Sequence, residues 1–143
     1  MAIHFFEEDI QFNLKPKATY KKWLKELAQT HQKKIGELNY IFCSDEYLYS
    51  INVEYLNHHT YTDIITFDNS ELDTTIEGDI FISIDRIKDN ANKLNIPFET
   101  ELQRVLSHGI LHLLGYKDKK EEDQKIMRAM EEQSIALFPI CST

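Results

Sequence analysis

A chain of 143 residues has room for one domain at roughly 100–200 residues per domain. Its composition, 42% hydrophobic and 28% charged with 4 Gly and 3 Pro, excludes collagen-like, low-complexity and strongly disordered proteins. Acidic side chains outnumber Lys and Arg 24 to 16, and the formal charge of -8 argues against non-specific binding to bare nucleic acid.

No stretch approaches the ~18 consecutive apolar residues of a membrane-spanning helix. The start, Met1-Ala2-Ile3-His4-Phe5-Phe6-Glu7-Glu8-Asp9, lacks the basic region and apolar core of a signal peptide. The expectation is a cytoplasmic protein with no membrane partner. Cys43 and Cys141 are too few for a disulfide framework and are expected to be reduced. Lysine clusters at 15–25, at Lys33 and Lys34, and at Lys117, Lys119 and Lys120 read mainly as solvated faces.

No repeat or linker divides the chain, so residues 1–143 are expected to form a single domain. Ile3 to Phe6 reads as a first strand. A helix follows from Pro16 to about Thr30, with Tyr20, Trp23, Leu24 and Leu27 on one face. Glu37 to Cys43 alternates as a strand, and Ser44 can cap a short helix carrying Tyr47, Leu48, Ile51 and Tyr55. Asp63 to Phe67 and Gly78 to Ile84 read as strands, with a polar loop over residues 68–77. Asp85 to Leu94 is a predicted helix ended by Asn95-Ile96-Pro97, after which Thr100 can cap the next.

That next helix turns Leu102, Val105, Leu106 and Leu113 inward and is expected to end at Gly115, a residue suited to the left-handed position after a helix. The final helix is expected over about Lys119 to Phe138, with Ile126, Met127, Met130 and Leu137 as its apolar stripe. Strands alternating with helices and then giving way to helices predict an α+β fold, a mixed sheet of about four strands packed against helices.

The most informative segment is Ser107-His108-Gly109-Ile110-Leu111-His112-Leu113-Leu114-Gly115-Tyr116-Lys117-Asp118. His108 and His112 are four apart, so on a helix their imidazoles share a face and can converge on one ion. Catalytic zinc uses three protein ligands and keeps one position open, so a third donor is needed. A helix ending at Gly115 lets the chain fold back and present Asp118; Glu121, Glu122 and Asp123 are weaker candidates. The same two histidines could instead be core-edge imidazoles satisfied by carbonyls. Gly109 stands where an H-E-x-x-H metalloprotease carries its general base, which disfavours that mechanism and points to close helix–strand packing.

The run from His108 to Tyr116 resembles the signature of the YbeY family of bacterial metal-dependent endoribonucleases. Ser50 to Tyr55, Thr62 to Phe67, and Gly78-Asp79-Ile80-Phe81-Ile82 are similar to its LN-x-x-(Y/F)-R, TDVLSF and GDI segments. The resemblance implies a zincin-like fold, one Zn2+ per chain held by His108, His112 and Asp118, single-strand-specific RNA cleavage, and a role in rRNA maturation and ribosome quality control. It also implies the small ribosomal subunit and assembly factors as partners.

Two departures stand out. Asp118 occupies the place of the family's third histidine, and Leu56 falls where the family carries an arginine thought to act on RNA phosphate. His58, His59 and Lys117 could supply positive charge there, or the histidines could sit in a solvated loop. Thr62 and Asp63 could line the cleft or simply start the strand. Two other classes compete with an RNA hydrolase: a metal-dependent hydrolase of another substrate, and a non-catalytic zinc-containing ribosome assembly factor.

Overall fold

The structure, a computed structural model, describes residues 2–138. It contains β1 (Ala2–Glu7), α1 (Lys17–Thr30), β2 (Lys34–Cys43), α2 (Asp45–Leu56), β3 (Ile64–Asp68), β4 (Thr75–Ser83), α3 (Ile84–Leu94), α4 (Phe98–Leu113) and α5 (Glu121–Ala136). The strands form one mixed sheet in the order β1-β2-β4-β3. β1, β2 and β4 run parallel, and β3 returns antiparallel to β4 with Ile64 opposite Ile82 and Asp68 opposite Gly78. The α+β expectation is met.

Alternation along the strands splits the side chains between two faces. Leu38, Tyr40 and Phe42 of β2 and Ile76, Ile80 and Ile82 of β4 join Trp23, Leu24, Leu27, Leu102, Val105, Leu106 and Ile110 in the main core under α1 and α4. Cys43, Ile65, Phe67 and Phe81 contribute to a smaller cluster beneath Leu48 and Ile51 of α2. The Cys43 thiol is free, and burial, with nearby carboxylates, pushes it up to about 12, so it is an inert packing group. Cys141 lies outside the described residues.

Element identities follow the sequence, while several edges differ for tertiary reasons. β2 begins at Lys34 and β4 at Thr75 because these two residues pair across the sheet, which shortens the predicted polar loop. Ile84 opens α3 rather than closing β4, since Ser83 accepts a cap hydrogen bond from the Arg86 amide. Ser44 caps α2 by accepting from the Tyr47 amide, as expected, but Tyr55 points to solvent. Pro97, not Thr100, sits at the N-cap of α4.

α5 departs most. Its buried residues are Met127, Glu131 and Ser134, whereas Ile126 and Leu137 are exposed. The helix face is set by a bond from the Trp23 indole Nε1–H to the Ser134 carbonyl at 2.7 Å and by a buried role for Glu131.

Candidate functional site

α4 lies across β3 and β4, and its closest approach is made by Gly109. A Cβ there would stand 3.0 Å from Ile80 Cδ1 and 3.2 Å from Ile64 Cδ1, so the glycine lets the helix settle onto the sheet, as its position after His108 suggested. His108, one residue away, is carried to the mouth of a cleft of about 540 Å³.

The helix ends in a Schellman motif. The Gly115 amide bonds the His112 carbonyl at 3.0 Å, the Tyr116 amide bonds the Leu111 carbonyl at 3.0 Å, and Gly115 adopts φ 109°. This reversal returns the chain to the cleft and brings Asp118 Oδ2 within 3.2 Å of His108 Nε2. His112, on the next turn of α4, lines the same cleft.

The other ring nitrogen of His108, Nδ1, donates to Glu131 Oε2 at 2.6 Å. Burial works against a charged imidazole, but Glu131 first and then Asp118 and Asp63 outweigh it and raise the His108 pKa. Glu131 is 2% exposed, and its Oε1 lies 3.4 Å from Arg104 Nη1. Arg104 in turn grips the fully buried Glu101 through Nε at 2.9 Å and Nη2 at 2.6 Å and reaches Asp63 Oδ2 at 3.3 Å. Hydrogen bonding to Glu101, with these surrounding carboxylates, raises the Arg104 pKa despite burial, so the guanidinium is permanently charged and fully engaged.

The opposite wall comes from the end of α2 and the loop into β3. Asn52, Leu56, His58, Thr60, Thr62 and Asp63 line it. Asn52 Nδ2 donates to the Thr60 carbonyl at 2.8 Å, tying the loop to the helix. Lys119 rather than Lys117 reaches the cleft, and of the two loop histidines only His58 does. Glu121, Glu122 and Asp123 form the first turn of α5 instead.

His108, His112 and Asp118 therefore border one cleft, and two of them meet. Two ligands of a tetrahedral zinc with bonds of about 2.0–2.1 Å lie about 3.3 Å apart, close to the His108–Asp118 separation. An imidazole fixed by a carboxylate on its far nitrogen is also the usual setting of a metal-binding histidine. Among the described residues no three His, Cys, Asp or Glu side chains close into a formed metal cluster. The donor chemistry nonetheless suits a divalent cation.

Arg104 and Glu131 escaped the sequence reading. Arg104 had a local signal, being one turn before His108 and two before His112 on the same helix. Glu131 had only the spacing of Met127, Glu131 and Ser134, which places a carboxylate on an apolar stripe.

The frame and the cleft define a small α+β protein with a candidate metal centre on a helix laid across a mixed sheet. Comparison with known proteins narrows this class. The family model described as Endoribonuclease YbeY matches residues 2–138, and the chain belongs to that family. It is 55% identical over 136 residues to an endoribonuclease YbeY of Cytophaga hutchinsonii, covering 95% of each chain. It is 51% identical over 138 residues to that of Christiangramia forsetii, covering 96% of this chain and 95% of the relative. The solution structure of TM1509 from Thermotoga maritima is similar in fold, with a TM-score of 0.68 and 26% identity over 96% of this chain and 89% of that one.

Proposed function

We propose that this chain, as one domain over residues 1–143, is a metal-dependent endoribonuclease that cleaves single-stranded RNA during rRNA maturation. Family membership across nearly the whole chain supports the reaction class. The single structural observation that carries the site is His108 Nε2 facing Asp118 Oδ2 inside the cleft while Nδ1 is held from behind. The small ribosomal subunit and its assembly factors are the partners, and the cytoplasm the location. No helix among the described residues is long and apolar enough to cross a membrane.

His108, His112 and Asp118 would hold one divalent ion, zinc by the nature of the donors. Bound there, the ion supplies Lewis acidity that offsets charge developing on a phosphoryl oxygen. Lys119, which lines the cleft, attracts the phosphate backbone, while the His58 ring and the Thr60 and Thr62 hydroxyls offer hydrogen bonds. Arg104 is not available for that task, because three carboxylates already engage it. Leu56 gives the cleft an apolar wall suited to the face of an unpaired base.

The test compares the wild-type protein with His112→Ala. The variant is expected to lose both its zinc after dialysis and its cleavage of single-stranded RNA. Full cleavage by the metal-free variant would overturn the reading.

A further inference from the structure

We infer that Glu131 is the positioning residue of the site: through its bond to Nδ1 it fixes the ring of His108 so that Nε2 presents its lone pair to the cleft. The inference rests on the metal-site reading above and adds a residue from a different helix, 23 positions further along the chain.

The argument begins with cost. A carboxylate at 2% exposure has lost its water, a heavy penalty unless close partners replace it. Three cationic or donor groups face Glu131. Arg128 Nε is 3.9 Å away on a largely exposed side chain, and Arg104 Nη1 is 3.4 Å away. Arg104 is better matched to Glu101, which it holds by two shorter bonds. The strongest contact Glu131 makes is the one to His108, at 2.6 Å. The shortest contact of this buried carboxylate is therefore the one to His108, and the longer pair with Arg104 holds its other oxygen from behind.

The consequence follows from imidazole chemistry. A neutral ring carries one N–H, and the nitrogen facing a buried carboxylate keeps it. Both ring nitrogens face a carboxylate, and Glu131, buried and 2.6 Å away, holds the proton on Nδ1 in preference to the more exposed Asp118 at 3.2 Å, so Nε2 turns its lone pair to the cleft. Arg104 contributes by bonding Oε1 of Glu131, which aims Oε2 at the ring. Outer partners of this kind are typically worth 10–100-fold in metal affinity.

Two readouts test this on the full-length chain without relying on RNA cleavage. Titration with cobalt(II), followed by visible absorption, is expected to show about 10–100-fold weaker binding in Glu131→Ala and a smaller loss in Glu131→Gln, which keeps an acceptor oxygen. Long-range proton–nitrogen spectra, recorded without added metal at alkaline pH where the ring is neutral, are expected to show His108 protonated at Nδ1 in the wild type. In Glu131→Ala the two tautomers are expected to mix. Thermal melts identify a variant that fails to fold; if Glu131→Ala does so, Glu131→Gln decides on the cobalt affinity alone. Wild-type cobalt affinity and an unchanged tautomer in a folded Glu131 variant would overturn the inference while leaving the metal site intact. Cobalt binding indifferent to His112→Ala would instead overturn the site, and the tautomer measurement would still report on Glu131.

Discussion

Gly109 of α4 rests directly on Ile80 of β4, and a methyl group there would fit only if its neighbours gave way by a few tenths of an ångström: a Cβ would lie 3.0 Å from Cδ1 and 3.2 Å from Cγ2 of that isoleucine. Because His108 is the adjacent residue, the depth of the helix on the sheet also sets the depth of the imidazole in the cleft. Overpacking against the two isoleucines costs about 1–3 kcal/mol and the helix preference of alanine returns about 1 kcal/mol, so Gly109→Ala is expected to destabilise the fold by no more than about 2 kcal/mol. It should also reduce RNA cleavage at temperatures where the variant is fully folded. Denaturant unfolding gives the first quantity and initial rates give the second.

Asp118 is tested by two replacements with opposite expected outcomes. Asp118→Ala removes a donor and should lower zinc retention and cleavage by more than about 10-fold, since even an outer partner of a metal ligand is worth that much. Asp118→His restores a nitrogen donor at a position 41% exposed on its side chain, so it should fold normally and keep both properties. Metal content after dialysis and cleavage rates measure the pair.

Leu56 is 42% exposed on the wall of the cleft, so Leu56→Arg adds a cation without burying it. Tighter RNA binding is expected, with a salt dependence steeper by roughly one phosphate contact. Binding isotherms at several salt concentrations check the slope, and thermal stability should be nearly unchanged.

Trp23 joins α1 to α5 through its bond to the Ser134 carbonyl. Trp23→Phe loses that bond and leaves space in a fully buried position, which should cost about 1–3 kcal/mol. The denaturant midpoint should fall with little change in slope, and the loosening of α5 should also weaken the contact between Glu131 and His108.

Asp9 supplies a pH signature of folding. Slight desolvation pushes the pKa of this exposed carboxyl up, but hydrogen bonds from the Ser44 hydroxyl and amide outweigh this and hold it below 3.8. A carboxylate with a lowered folded-state pKa adds stability above its unfolded value and loses it as pH falls through the folded value. The wild type should therefore lose more melting temperature than Asp9→Asn as pH drops from about 5 towards 2. Equal acid sensitivity of the two proteins would count against the contact.

The local parts of the site were legible because they are written in short spacings. His108 and His112 share a face by helical period, and Gly115 with Asp118 encodes a stop and a return, so both could be read without any tertiary information. Glu131 was hidden because its meaning depends on α5 lying beside α4, and propensity alone assigns a glutamate to solvent. The same packing explains why Ile126 and Leu137 lie outside while Ser134 is buried. Strand edges moved for a related reason: Lys34 and Thr75 have weak preferences of their own, and it is their pairing that extends β2 and β4.

β3 stands at the end of the sheet, paired on one side by β4 alone, and Ile64, Ile65 and Thr66 border the cleft. A strand in that position offers main-chain donors and acceptors along its outer rim. A guest laid along that rim would meet peptide groups that no side-chain replacement can delete, a feature common to every sequence that folds this way. Evolution can redraw the walls, as at Leu56, while that rail stays where it is.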